Sequence, residues 1–146
     1  MKIWENFMLK NLKLLYMSEQ EIVNSIQKAE ISVCVIGLGR IGLPTAVSFA
    51  NAGLNTFGID IDLELINKIK SNDFPLKDEP GYKFIFENVI KKEKLKVSTN
   101  LNDAVTKSDV IILTLPTPLN NENIPDYSII TAVGKQLHDL IDKGTV

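Results

Sequence analysis

With Cys34 as its only cysteine, the chain cannot close an intrachain disulfide, and such usage fits a reducing cytoplasm. Cys34 lies inside the apolar run Val33-Cys34-Val35-Ile36, where it reads as a small core residue and not as a nucleophile. Histidine is as scarce: His138 stands alone on the last helical pattern and reads as a surface residue, and no metal site is expected. Neither sign of charge dominates, with 16 Lys and Arg against 18 Asp and Glu. The densest basic run, Lys91, Lys92, Lys94 and Lys96, encloses Glu93 and reads as a solvated helix end, so no nucleic-acid partner is expected. No apolar run reaches the roughly 18 residues that suggest a membrane span. At the N-terminus Ile3, Trp4, Phe7, Met8, Leu14 and Leu15 recur at helical spacing, but Lys2, Glu5, Lys10 and Lys13 interrupt them. No small-residue cleavage site follows. That stripe reads as a helix docked on its own domain or on a neighbouring subunit, with a membrane-surface helix as the alternative.

What is present is enough apolar sequence, 45% of 146 residues, to build the core of one domain. Ser18-Glu19-Gln20-Glu21 has the pattern of a capping box and predicts a helix over about 19–28 with Ile22, Val23 and Ile26 on one face. Residues 31–36 form a short, β-branched, nearly continuous apolar run, the signature of a strand buried on both faces. Next come Gly37-Leu38-Gly39-Arg40-Ile41-Gly42 and a helix through Ala46 to Ala52, which Gly53 ends. Further strands are expected at 56–59, 96–98 and 110–115, the last again doubly buried, and further helices at 63–69, 82–95, 101–107 and 127–141. Strand and helix alternate, which calls for an α/β fold with a doubly wound parallel sheet of the Rossmann type, preceded by a helical N-terminal extension, residues 1–30. The Rossmann domain is assigned to residues 31–146.

A Gly-x-Gly-x-x-Gly is weak evidence by itself, but here a strand precedes it, a helix follows it, and Asp60 closes the next strand. Gly37 permits the tight turn, Gly39 lets backbone approach a pyrophosphate, and Gly42 allows close helix packing. Across Gly39, Arg40, Ile41 and Gly42 the helix start offers free N–H groups and a positive dipole end to an anion. Asp60 suits the two adenosine ribose hydroxyls and would repel a 2′-phosphate. Asp62 adds negative charge and no Arg stands nearby, so NAD is expected over NADP. Asp60 is also placed to cap the following helix. In a sheet of order 3-2-1-4, ligands sit where the order reverses, beside the turn after the fourth strand. Pro116 and Thr117 therefore join the expected cofactor contacts, with a turn threonine held between prolines as the plain alternative.

The ordered set of motifs resembles the UDP-glucose/GDP-mannose dehydrogenase family, in particular its UDP-N-acetylhexosamine 6-dehydrogenase branch. Ile36 to Pro44 resembles the family's opening, and Gly58-Ile59-Asp60-Ile61-Asp62 its second-strand ending. Phe74-Pro75-Leu76-Lys77-Asp78-Glu79-Pro80-Gly81-Tyr82 resembles its Glu-Pro-Gly loop, Leu115-Pro116-Thr117-Pro118 its Pro-Thr-Pro turn, and Pro125-Asp126-Tyr127-Ser128 a helix start. Leu65 departs from the family, which often has Lys or Arg there to reach the ribose; Asn100 and Tyr82 depart as well.

The resemblance implies oxidation of the C6 alcohol of a UDP-sugar to a uronate in two hydride transfers to NAD. A cysteine nucleophile holds a thiohemiacetal and then a thioester between the two transfers. It implies that Thr117 supports the reaction by helping to hold a water or the sugar's C6 oxygen. It places the nucleophile, the acid–base residues and the UDP-sugar-binding central and C-terminal domains outside this sequence, together with the helix of the family's homodimer. On that footing the Rossmann domain is expected to be incomplete, with a fifth strand due where Val146 stands, and the 146 residues alone to be inactive. Two other readings stay open on the glycine loop: a non-catalytic NAD-binding regulatory domain of potassium channels and transporters, and another two-domain dehydrogenase such as the 3-hydroxyacid group.

Overall fold

The computed structural model describes residues 14–79, 81–141 and 145–146. Most of the apolar stripe expected at the N-terminus lies outside them; Leu14–Tyr16 form a 3-10 turn. Helix α1 (Glu19–Gln27) begins in the expected capping box, with Ser18 and Glu21 each accepting from the other's backbone N–H. Ile22 packs against the core, whereas Val23 and Ile26 on the same helix are exposed.

Four parallel strands form one sheet in the order β3-β2-β1-β4. They are β1 (Ser32–Ile36), β2 (Asn55–Ile59), β3 (Leu95–Ser98) and β4 (Val110–Leu113). In the register, Val35 stands between Gly58 and Ile112. β1 is central, and its alternating side chains feed two cores, as the two-residue period of a strand requires. Val33 and Val35 join Leu38, Leu43, Ala46, Val47, Ile66 and Phe86 on one face. Cys34 and Ile36 join Ile59, Ala104, Val105 and Leu137 on the other. Coverage on both faces explains why Val33 to Ile36 are apolar without a break.

Helix α2 (Gly42–Asn51) lies on the first face and buries Gly42, Leu43, Ala46, Val47 and Ala50, one stripe at helical spacing. Pro44 sits in its first turn, where no intrahelical N–H is needed. α3 (Leu63–Lys70) and α4 (Tyr82–Lys91) follow, and Phe74 meets Phe86 at 5.2 Å between ring centroids, fixing the loop before α4 to the core. α5 (Leu101–Val105) and α6 (Ser128–His138) contribute Ala104, Val105 and Leu137 to the second core.

Two expectations need correction. The run at 110–115 is not a doubly buried strand: β4 stops at Leu113, none of its residues is fully buried, and Leu113 is 41% exposed. The sheet order makes it an edge strand, so its apolar composition marks a face that these elements cover only in part. Along its outer edge Val146 N–H donates to the Asp109 carbonyl and Ile111 N–H to that of Val146, the pattern of a parallel ladder. The helix expected over 82–95 ends at Lys91, because Glu93 turns the chain at φ 53° and Leu95 already belongs to β3.

Candidate functional site

The glycine loop leaves the C-terminal end of β1 and is held from both neighbouring strands. Gly37 N–H donates to the Ile59 carbonyl of β2 at 2.7 Å. Its own carbonyl accepts from the Thr114 hydroxyl, just past β4, at 2.7 Å. At φ 93° Gly37 occupies a conformation that a side chain rarely tolerates, and a Cβ there would stand 2.6 Å from the Thr114 carbonyl oxygen. Leu38 N–H donates to Asp60 Oδ2 at 2.7 Å. The fully buried Leu38 side chain lies over Gly58, where a Cβ would meet its methyl carbons at 3.0 Å. One side of the loop is therefore clamped to β2, to the segment after β4 and to the core.

The other side is open. Gly39, Arg40 and Ile41 are exposed, and their N–H groups find no acceptor among the described residues. A Cβ on Gly39 would meet nothing within 4 Å, whereas one on Gly42 would lie 1.7 Å from the Gly37 oxygen and 2.5 Å from Thr114 Oγ1. Gly42 thus serves close packing, but against the loop and Thr114 instead of the strand itself. α2 starts with no side-chain cap, leaving its first N–H groups and the positive dipole end directed at the loop. Backbone donors, a helix dipole and clear space beside Gly39 fit a diphosphate.

Asp60 sits beside this space. Its Oδ1 accepts from Asp62 N–H at 3.0 Å while Oδ2 holds Leu38 N–H. A carboxylate has about four lone-pair sites, so acceptor capacity remains for ribose hydroxyls. Capping of α3, one reading of Asp60, falls to Asp62, whose Oδ1 accepts from Glu64 and Leu65 N–H. Ile61, between the two carboxylates, is 96% exposed. Leu65 packs against the core, so the family departure at that position points inward.

Arg40 pairs with the Asp78 carboxylate, which ties the loop before α4 to the glycine loop; the pair is exposed. The hydrogen bond from Arg40 holds the Asp78 carboxyl below its ordinary range. Pro116, Thr117 and Pro118 are exposed and follow Leu115, a methyl of which would lie 3.4 Å from a Cβ on Gly37. That contact brings the start of the turn to the glycine loop; Thr117 makes no side-chain hydrogen bond among the described residues. Beyond it, a bridge between Leu119 and Pro125 closes a loop, and Asp126 accepts from Ser128 N–H at the start of α6. Cys34 is fully buried, and burial pushes its thiol up to about 12, which suits a core residue. His138 is exposed. Among the described residues no group of three or more His, Cys, Asp or Glu is placed to hold a metal, and no helix is long and apolar enough to cross a membrane.

Thr114 is the site residue that sequence reasoning missed. The available signal was a hydroxyl interrupting the apolar run Val110 to Leu115, immediately before the Pro-Thr-Pro turn.

Residues 31–146 match the model of the UDP-glucose/GDP-mannose dehydrogenase family, NAD binding domain. The UDP-N-acetyl-D-mannosamine dehydrogenase of Methanococcus vannielii is 42% identical over 86 residues, which is 59% of this chain and 19% of that protein. A solved UDP-D-ManNAc dehydrogenase from Pyrococcus horikoshii superposes with a TM-score of 0.73 at 34% identity, over 80% of this chain and 27% of that one. The UDP-N-acetyl-mannosamine dehydrogenase of Staphylococcus aureus superposes with a TM-score of 0.70 at 33% identity, over 78% of this chain and 27% of that one. The chain spans 19% to 27% of the length of these relatives.

Proposed function

The chain belongs to the UDP-glucose/GDP-mannose dehydrogenase family through its NAD-binding domain, and we propose that it holds NAD for an enzyme that oxidises the C6 alcohol of a UDP-sugar to a uronate. The observation that carries this is the glycine loop: clamped on its protein side, with free N–H groups and open space at Gly39 on the other, and with the Asp60 carboxylate alongside.

Within the proposal, the N–H groups of Gly39, Arg40, Ile41 and Gly42 bind the diphosphate, while the Arg40 guanidinium stays with Asp78. Asp60 accepts from the ribose hydroxyls and, with Asp62, disfavours a 2′-phosphate. Pro116 and Thr117 border the nicotinamide end, where Thr117 orients a water or the sugar's C6 oxygen. When bound, NAD supplies a hydride acceptor; this chain's residues supply its seat. Residues 1–30, to which α1 belongs, stand as an extension ahead of the domain. For the whole protein the proposal extends, on family kinship, to a homodimer in the cytoplasm. UDP-N-acetylmannosamine is the first sugar to test, because the relatives above carry its name.

The 146 residues alone should form no NADH. Hydride transfer needs a sugar held within about 3–3.5 Å of the nicotinamide, and the aldehyde step needs a reactive thiolate, which Cys34 in the core of β1 does not offer. The test is to replace the matching segment of the Methanococcus vannielii relative with residues 31–146 and follow NADH absorbance with UDP-N-acetylmannosamine. Turnover by the chimera and silence from the 146-residue chain are expected. A folded chimera that binds NAD but forms no NADH overturns the proposal, and so does turnover by the short chain.

A further inference from the structure

We infer that Thr114 is a positioning residue for the cofactor's diphosphate, acting through the backbone of the glycine loop. Resting on the dinucleotide reading above, the inference adds a residue which that reading does not use. Thr114 is anchored where β4 ends: its N–H donates to the Ile36 carbonyl at 2.9 Å, in continuation of the β1–β4 ladder. From there its hydroxyl reaches the Gly37 carbonyl at 2.7 Å, with the Ile36 carbonyl at 3.1 Å. The Gly37 carbonyl in turn lies against Gly42, in the space that a Cβ would need, and Thr114 Oγ1 borders the same space.

The first residue of α2 is therefore seated on a carbonyl whose direction the Thr114 hydroxyl sets. Gly39, Arg40 and Ile41 lie between those two fixed points, and their N–H groups are the donors for the anion. Gly37 N–H is already committed to Ile59, and Leu38 N–H to Asp60. With β2 holding the loop's donors and Thr114 its carbonyl, the geometry of the exposed donors is set before ligand arrives. Removing the hydroxyl frees the Gly37 carbonyl to rotate and shifts the start of α2. Groups that meet the loop should feel this; groups that meet only Asp60 and the end of β2 should not.

The experiment compares Thr114→Val, Thr114→Ala and Thr114→Ser in the 146-residue chain. NAD, ADP-ribose and adenosine are titrated by amide NMR, and stability is followed by urea unfolding. Val and Ala should weaken NAD and ADP-ribose about tenfold, the effect of one lost hydrogen bond of ordinary strength, with adenosine changed by less than about twofold. Ser, which keeps the hydroxyl, should stay within about threefold of the unsubstituted chain for all three ligands, at most about half of that cost in free energy. The Ala variant removes the hydroxyl without placing a second methyl near Gly42, so it decides the matter if the Val variant fails to fold. Equal losses for adenosine and ADP-ribose, or unchanged diphosphate binding in a folded Val or Ala variant, overturn the inference. If the unsubstituted chain binds adenosine but gains nothing from the diphosphate, the dinucleotide reading itself falls with it.

Discussion

β1 and β4 are neighbours in the sheet and carry nearly the same kind of sequence, yet they live in different surroundings. Val33 to Ile36 in β1 are all buried, whereas β4 has no fully buried residue. The helices repeat the contrast: α2 buries five residues in one stripe, and α6 buries only Leu137. Around α6 and the turns before it, Leu119, Ile124, Tyr127, Ile129 and Ile141 are exposed. Apolar composition reports that a strand is meant to be covered, and sheet order determines how much covering these elements provide. The proposed cofactor site would straddle the two regions. Its adenosine and diphosphate side would rest on the packed region, while Pro116 and Thr117 extend from the open one.

The sharpest way to break the comparison is in the glycine loop itself. Gly42→Val should be the most damaging substitution, because its Cβ would fall 1.7 Å from the Gly37 oxygen. A loss of about 3 kcal/mol or more is expected in urea unfolding, at the upper end of overpacking costs because the obstacle is backbone. Gly39→Val, three residues earlier, meets no protein atom within 4 Å. It should leave the fold largely intact and abolish NAD binding; a variant that unfolds as readily as Gly42→Val would show that the open side is not open.

Core truncations extend the test to the two helices. Leu43→Ala in α2 removes a fully buried side chain and should cost about 2–5 kcal/mol. Ile129→Ala in α6 starts from a side chain 38% exposed and should cost less than about 1 kcal/mol. Equal costs in urea unfolding would mean that the two regions do not differ in packing.

A pH-dependent effect concerns Cys34, which points from packed β1 into the second core. Below pH 9 its thiol is neutral folded or unfolded. Above it the unfolded chain ionises near 9.0, while burial keeps the folded thiol protonated to about 12. Stability should therefore fall as pH rises from 9 toward 12, and Cys34→Ala should flatten that slope. An unchanged slope would place Cys34 in contact with water.

The packed region was legible in the sequence because its signals are local and mutually consistent. The apolar run of β1, the glycine spacing and the acid closing β2 occur in the order that one βαβ unit requires. The Glu-Pro-Gly and Pro-Thr-Pro segments speak against a channel-type regulatory module but leave other two-domain dehydrogenases open, and the family match favours the nucleotide-sugar dehydrogenases. What escaped was set by tertiary context. The burial of β4 depends on its place in the sheet, which composition does not encode. The end of α4 depends on Glu93 adopting a positive φ without the glycine that usually announces it. The division of work between Asp60 and Asp62, one on the loop and the other capping α3, depends on side-chain directions that two nearby carboxylates leave open. Thr114 acts through a partner 77 residues away, and no spacing rule connects them.

The central claim is that residues 31–146 form a seat for NAD in which Asp60 reads the ribose, and isothermal titration calorimetry tests it most directly. NAD and NADP are titrated into the 146-residue chain and into its Asp60→Ala variant. NAD should bind more tightly than NADP to the unsubstituted chain. Asp60→Ala should weaken NAD by roughly ten- to a hundredfold, the cost of losing hydrogen bonds to a charged group, and should narrow the gap between the cofactors. NADP binding as tight as NAD or tighter, or an Asp60→Ala variant with unchanged affinity and preference, would contradict the account.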